Sequence, residues 1–178
     1  MLRRWLDRIY LGAGAVGAGF IVLICVLMVA QSIMRELGLR TGAINDIVAW
    51  FCAAAAFLAM AHAFKHGDFV RVTLLLEKLP PRRCRQLEVV SLAIGSVAVG
   101  YLMWAACSYT YESWEFNDIS QGLLPMPLWI PQLSFALGSI LLWVAVVDEF
   151  IIVLRGGVPT FVRAVEERHA KGDFSSDI

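Results

Sequence analysis

Hydrophobic positions along this chain come in long unbroken runs, unlike the amphipathic stripes of a soluble helical protein. Four stretches contain no Asp, Glu, Lys or Arg: Ile9–Met34, Ile47–Phe64, Val89–Tyr111 and Ile119–Val147. A helix crosses the hydrocarbon core of a bilayer with about 20 apolar residues, within a range of about 17–25. Each run is long enough, and none carries the polar face that a helix on a soluble core keeps toward water. The pattern predicts an all-α membrane protein, a single membrane domain over residues 1–178, with four transmembrane helices at about 9–34, 46–65, 87–111 and 127–149.

The polar punctuation between the runs predicts the rest. After the second run come Gly67 and Asp68, then a segment in which Val72, Leu75, Leu76 and Leu79 share one face opposite Arg71 and Lys78. An Asp68 carboxylate can cap a helix start, and Pro80-Pro81 cannot continue a helix. A short interfacial helix at about 69–79, lying on the membrane surface, fits this segment. Pro125, Pro127 and Pro131 precede or open the fourth run. Proline is tolerated in a first helical turn, so that helix is expected to start near Pro127. Gly156-Gly157 and Pro159 end it, leaving a polar tail over 156–178 with room for a short helix at Thr160–Ala170. There is no internal repeat.

Composition supports a lipid environment. The 178 residues are 59% hydrophobic and 17% charged, against about 45–50% and 25% in soluble domains. The formal net charge is zero, which gives no footing for nucleic-acid binding. Charge distribution is more telling. With the segments taken alternately, thirteen of the fifteen Lys and Arg residues fall on one side. The positive-inside rule makes that side the cytoplasm, so both termini and the loop between the second and third helices are expected inside (N-in/C-in). Arg82, Arg83 and Arg85 are then placed to meet lipid headgroups at the foot of the third helix. The segment from Glu112 to Asp118 holds three acids and no base, as an outer loop should. Arg3 and Arg4 precede a run far longer than a secretory h-region, so the first helix reads as a retained signal anchor.

Small residues mark where helices are expected to meet. Packing, not hydrophobicity, joins helices in lipid, and small residues four apart let backbones approach. Such pairs are Ala13–Gly17, Ala15–Gly19, Ser96–Gly100 and Ser134–Gly138. Ala49, Ala53, Ala56, Ala59 and Ala63 form a smooth stripe on the second helix, suited to a neighbouring helix.

Chemistry-bearing patterns are sparse. No ionisable residue falls in the middle of any predicted span; Asp46 begins the second, His62 closes it and Asp148 closes the fourth. Intramembrane charges normally mark ion and proton paths. A proton-coupled exporter built on one central carboxylate is therefore disfavoured, as is a haem carrier with facing His ligands. Cys25, Cys52, Cys84 and Cys107 form no C-x-x-C pair. His62 and His66 stand four apart without a nearby third ligand, and read as interfacial polar residues. Neither a nucleophile motif nor a phosphate-cradling glycine loop is present. The expectation is an accessory subunit, not an enzyme, with no cofactor.

Two segments resemble a known family. Ala61-His-Ala-Phe-Lys-His-Gly67-Asp-Phe-Val-Arg71-Val-Thr-Leu-Leu-Leu-Glu-Lys-Leu79-Pro80 is similar to the loop after the second helix of the DctQ-type small subunit of TRAP (tripartite ATP-independent periplasmic) transporters. Pro125-Met-Pro-Leu-Trp129-Ile-Pro131-Gln132, running on to Gly138, resembles that family's entry to its last helix. The chain departs from the pattern at His66-Gly-Asp-Phe69, which leaves Asp68 without an assigned role. The resemblance implies a small permease subunit that scaffolds a large multi-helix transport subunit in the bacterial inner membrane. It also implies help in docking a periplasmic substrate-binding protein during sodium-coupled uptake of an organic acid. By matching positions, Gly67, Arg71, Leu79 and Pro80 would shape the cytoplasmic loop, and Trp129 and Pro131 would fix the fourth helix. Glu112, Glu115 and Asp118 are candidates for meeting the binding protein, against the plainer reading of a solvated loop. A small homo-oligomeric transporter and a four-helix assembly or signalling protein are the alternatives from other classes.

Overall fold

The computed structural model describes residues 2–67 and 81–170, with the side chains of residues 2–4, 81, 82 and 166–169 outside that description. The expected interfacial helix at 69–79, with Arg71, Leu79, Pro80 and the Asp68 cap, lies outside the described residues, as does the Arg82 side chain. Among the described residues there are five helices and no strand: α1 (Leu2–Glu36), α2 (Gly42–His66), α3 (Pro81–Glu115), α4 (Trp129–Leu154) and α5 (Thr160–Ala170). The first four are long and apolar enough to cross a membrane.

The helices run past their uncharged runs. α1 and α3 have 35 residues each, about 52 Å at 1.5 Å per residue, well beyond a hydrocarbon core of about 30 Å. Helix geometry does not stop at the first charge, because a backbone hydrogen bond is as well satisfied at the headgroups as in the core. At the other end of the scale, α4 begins at Trp129, later than Pro127. The preceding residues are held by Ile119 and Pro127 paired as an isolated bridge. Ser120 N–H donates to the Met126 carbonyl at 2.9 Å, and Leu128 N–H to Asp118 at 2.9 Å. Pro131 still falls in the first turn of α4, where no N–H is needed.

The helices pack in the order α1, α2, α4, α3, each along its neighbour, as an open row and not a closed bundle. Small residues set the spacing at each contact. A Cβ built on Gly17 would lie 3.0 Å from the Ala55 carbonyl oxygen, and one on Gly138 would lie 2.5 Å from the Phe57 carbonyl. Gly100 makes room for Trp143, whose indole nitrogen would be 2.8 Å away. Around Gly138 the Phe57 and Phe135 rings meet edge to face at 4.1 Å. Two expected packing faces are only partly used within the chain. Gly19 and Ala15 face outward from the row, and nothing lies within 4 Å of a Cβ on Gly19. On α2 the expected stripe divides: Ala59 meets Gly17 of α1 and Ala63 is half-buried, while Ala49, Ala53 and Ala56 are exposed and the buried alanines are Ala54, Ala55 and Ala61. Regular spacing of small residues identifies a possible contact face, but α2 is alanine-rich on several faces and the partner chooses among them.

Candidate functional site

The most polar buried feature joins four helices at one end of the row. Lys65, one residue before the end of α2, donates to Asp148 Oδ2 at 2.7 Å and to Glu149 Oε1 at 2.9 Å. Glu149 is 0% exposed, and its second oxygen accepts from the Thr160 N–H, the first residue of α5, at 2.8 Å. Tyr10 of α1 covers the group, with the Lys65 ammonium 5.7 Å from its ring centroid. The Tyr10 hydroxyl is buried and has no hydrogen-bond partner among the described residues. From the sequence, Asp148 and Glu149 stand at the aqueous end of the fourth helix. The structure puts Glu149 more than one turn inside α4, because the helix continues to Leu154.

Physical chemistry explains why these groups gather. Each charge removed from water costs several kcal/mol, and the cost is offset only by close, hydrogen-bonded partners. One ammonium faces two carboxylates here. The N-terminus of α5 carries a partial positive charge of about half a unit, which adds to the balance at Glu149. The arrangement thus ties α2 to α4 through Lys65 and ties α5 to both through Glu149. Near it, Phe161 of α5 is buried against Leu92 and Val153, with Phe64 alongside. Gly67 closes α2 in the left-handed conformation (φ 75°) and takes its N–H back to Ala63 and Phe64. A Cβ there would lie 2.9 Å from the Phe161 carbonyl oxygen and 2.8 Å from Val165. So Gly67, expected to shape the following loop, also receives α5.

Other singled-out residues occupy separate places. Arg83 and Arg85 are exposed at the start of α3. The Arg85 guanidinium lies 3.4 Å from the Leu154 carbonyl at the end of α4. Trp129 and Trp114 line an open apolar groove between α3 and α4 at the opposite end. Pro131 offers its carbonyl to the Ser134 hydroxyl at 2.7 Å. Glu112, Glu115 and Asp118 are all exposed. Nearby, the Asp46 carboxylate accepts from the Leu123 N–H at 2.9 Å and the Leu124 N–H at 3.4 Å. This link between α2 and the loop joining α3 to α4 has no sequence signal beyond a polar residue at a helix start. His62 and His66 stack at 4.0 Å, and His66 Nδ1 is 2.9 Å from the His62 carbonyl oxygen. Among the described residues no three His, Cys, Asp or Glu converge on a metal-sized space.

An open row of apolar helices, tied by charge at one end and by a pinned loop at the other, has the form of one part of a larger membrane assembly. The family model for tripartite ATP-independent periplasmic transporters, DctQ component, matches residues 24–156, about three quarters of the chain. The match takes in Lys65, Asp148 and Glu149 and stops short of Tyr10 and α5. No curated protein matches the chain. Members of this family are transporter components, not enzymes, and work in a complex with a large permease and a binding protein. The chain belongs to the DctQ family: it is a multi-pass membrane protein and the small permease subunit of a TRAP transporter.

Proposed function

We propose that the chain acts as a scaffold in the bacterial inner membrane, holding the large transport subunit while that subunit carries an organic acid inward with sodium. The observation that carries this reading is the open row. Large side chains such as Val16, Val26, Ile94, Val97 and Trp104 are more than half exposed on α1 and α3. Exposed apolar surface on this scale marks a lipid or protein interface. A row one helix thick has two broad faces, and a multi-helix partner can cover one while lipid covers the other.

The remaining parts of the proposal rest on charge. Both termini face the cytoplasm by the positive-inside rule, with a short interfacial helix at 69–79 on that side. Arg82, Arg83 and Arg85 sit among lipid headgroups. Gly67, Arg71, Leu79 and Pro80 shape the cytoplasmic connection, and Trp129 and Pro131 set the outer entry of α4. Glu112, Glu115 and Asp118 offer a negative outer surface to the binding protein. The deciding experiment is purification of the tagged chain from its native membrane in mild detergent. A large polytopic partner in one-to-one ratio is expected, and deletion of the chain should abolish sodium-driven uptake. Uptake that persists without the chain would sink the scaffold reading.

A further inference from the structure

A slot of about 270 Å³ runs between α3 and α4 at the end where α5 docks, and its walls are almost wholly apolar. Phe64, Glu88, Gly95, Val99, Leu142 and Phe161 line it. From Glu88 to Val99 the wall follows α3 for about 16 Å, so the slot lies along the helix axis. Its polar residues, Glu88 and Ser91, stand at one end only.

Two observations point to a ligand. The first is Gly95. Among the described residues nothing lies within 4 Å of a Cβ built there, so none of them demands a glycine. Gly100, by contrast, is required by the close approach of Trp143. Protein interiors are close-packed, and a glycine facing open space in a slot keeps that space open. The second is charge. Arg85 is exposed less than one turn from Glu88 on the same helix, its guanidinium 3.5 Å from the Val153 carbonyl and 3.4 Å from the Leu154 carbonyl, and Arg83 is exposed two residues before it. An apolar shaft along the helix axis, with guanidinium groups on the helix turn beyond its polar end, complements a lipid tail and its phosphate.

We propose that this slot seats one acyl chain of a phospholipid from the cytoplasmic leaflet, with the phosphate held by Arg85. The leaflet rests on the orientation given under Proposed function; the seat itself does not. α5 forms part of the wall through Phe161 and α2 through Phe64, so the lipid contacts α2, α3, α4 and α5.

The test uses the chain purified together with its large subunit. Native mass spectrometry should find a retained phospholipid, and phosphatidylglycerol should rebind to delipidated complex. Gly95→Leu fills the slot and should lose one lipid per copy, while one-to-one assembly and helical circular dichroism stay unchanged. Gly95→Ala is the folding control and should keep the lipid. Arg85→Gln should weaken phosphatidylglycerol binding about tenfold, the loss expected for one charge-assisted hydrogen bond. An unchanged lipid count in Gly95→Leu overturns the seat, as does a wild-type complex that binds no phosphatidylglycerol. Reaction of Arg83→Cys, made with the four native cysteines replaced by serine, with an impermeant reagent from the periplasmic side overturns only the leaflet.

Discussion

Lys65 bonds two carboxylates at once, and the consequences of removing each member differ in kind. Lys65→Met leaves two negative charges enclosed with no cation and should destabilise the protein by about 3–5 kcal/mol. Glu149→Gln leaves one cation against one anion, and its amide oxygen can still accept from Thr160 N–H. Its cost should be clearly smaller. Unfolding followed by circular dichroism in detergent would rank the two, and equal losses would mean that charge balance is not what holds the group. Gly67 makes a second residue-scale test. With φ at 75° and α5 pressed against it, Gly67→Ala carries a left-handed penalty of about 1–2 kcal/mol as well as a steric one. Hydrogen exchange should rise in α5 and stay level in α1. The cluster itself was only partly legible in the sequence. Lys65, Asp148 and Glu149 each border a predicted span, where a charge is ordinarily solvated. That they share one site depends on α2 lying beside α4, a tertiary fact with no local signature.

Among the elements, span and number followed directly from the uncharged runs, since exclusion of charge from hydrocarbon is a local property of the chain. Pairing did not. Four membrane helices of similar apolarity can be ordered in several ways, and the small-residue pairs of α1 show why spacing alone leaves this open. Ala13–Gly17 and Ala15–Gly19 are equivalent in sequence, yet Gly17 meets α2 and Gly19 faces outward. The two glycines therefore separate packing from composition. Gly138→Ala should cost about 1–3 kcal/mol, because the added methyl meets the Phe57 backbone and neither helix can yield cheaply. Gly19→Ala should change the stability of the isolated chain by no more than about 0.5 kcal/mol. Reversible unfolding in mixed micelles would measure both. If Gly19→Ala leaves the isolated chain intact but reduces recovery of the large subunit, the outward face of α1 is where that subunit packs.

For the whole molecule, the open row means that little of the chain's apolar surface is spent on its own interior. Stability and assembly are thus separable properties, one residing in the α2–α4 contact and the ion cluster, the other on the broad faces. Reversing the charge of Glu112, Glu115 and Asp118 together should leave co-purification of the large subunit intact and lower substrate-dependent uptake if the outer acids meet the binding protein. Unaltered uptake would reduce them to solvated loop residues. The loop that leads from these acids into α4, with Asp118 in it and Glu112 and Glu115 in the last turn of α3, is also where Asp46 grips two successive backbone amides. A surface segment restrained in this way has already given up most of its conformational freedom before any partner arrives. Association with it then pays little ordering entropy, and its speed is set by diffusion and charge in place of rearrangement. If the binding protein docks on this loop, as proposed above, its pre-shaping favours rapid turnover over long residence.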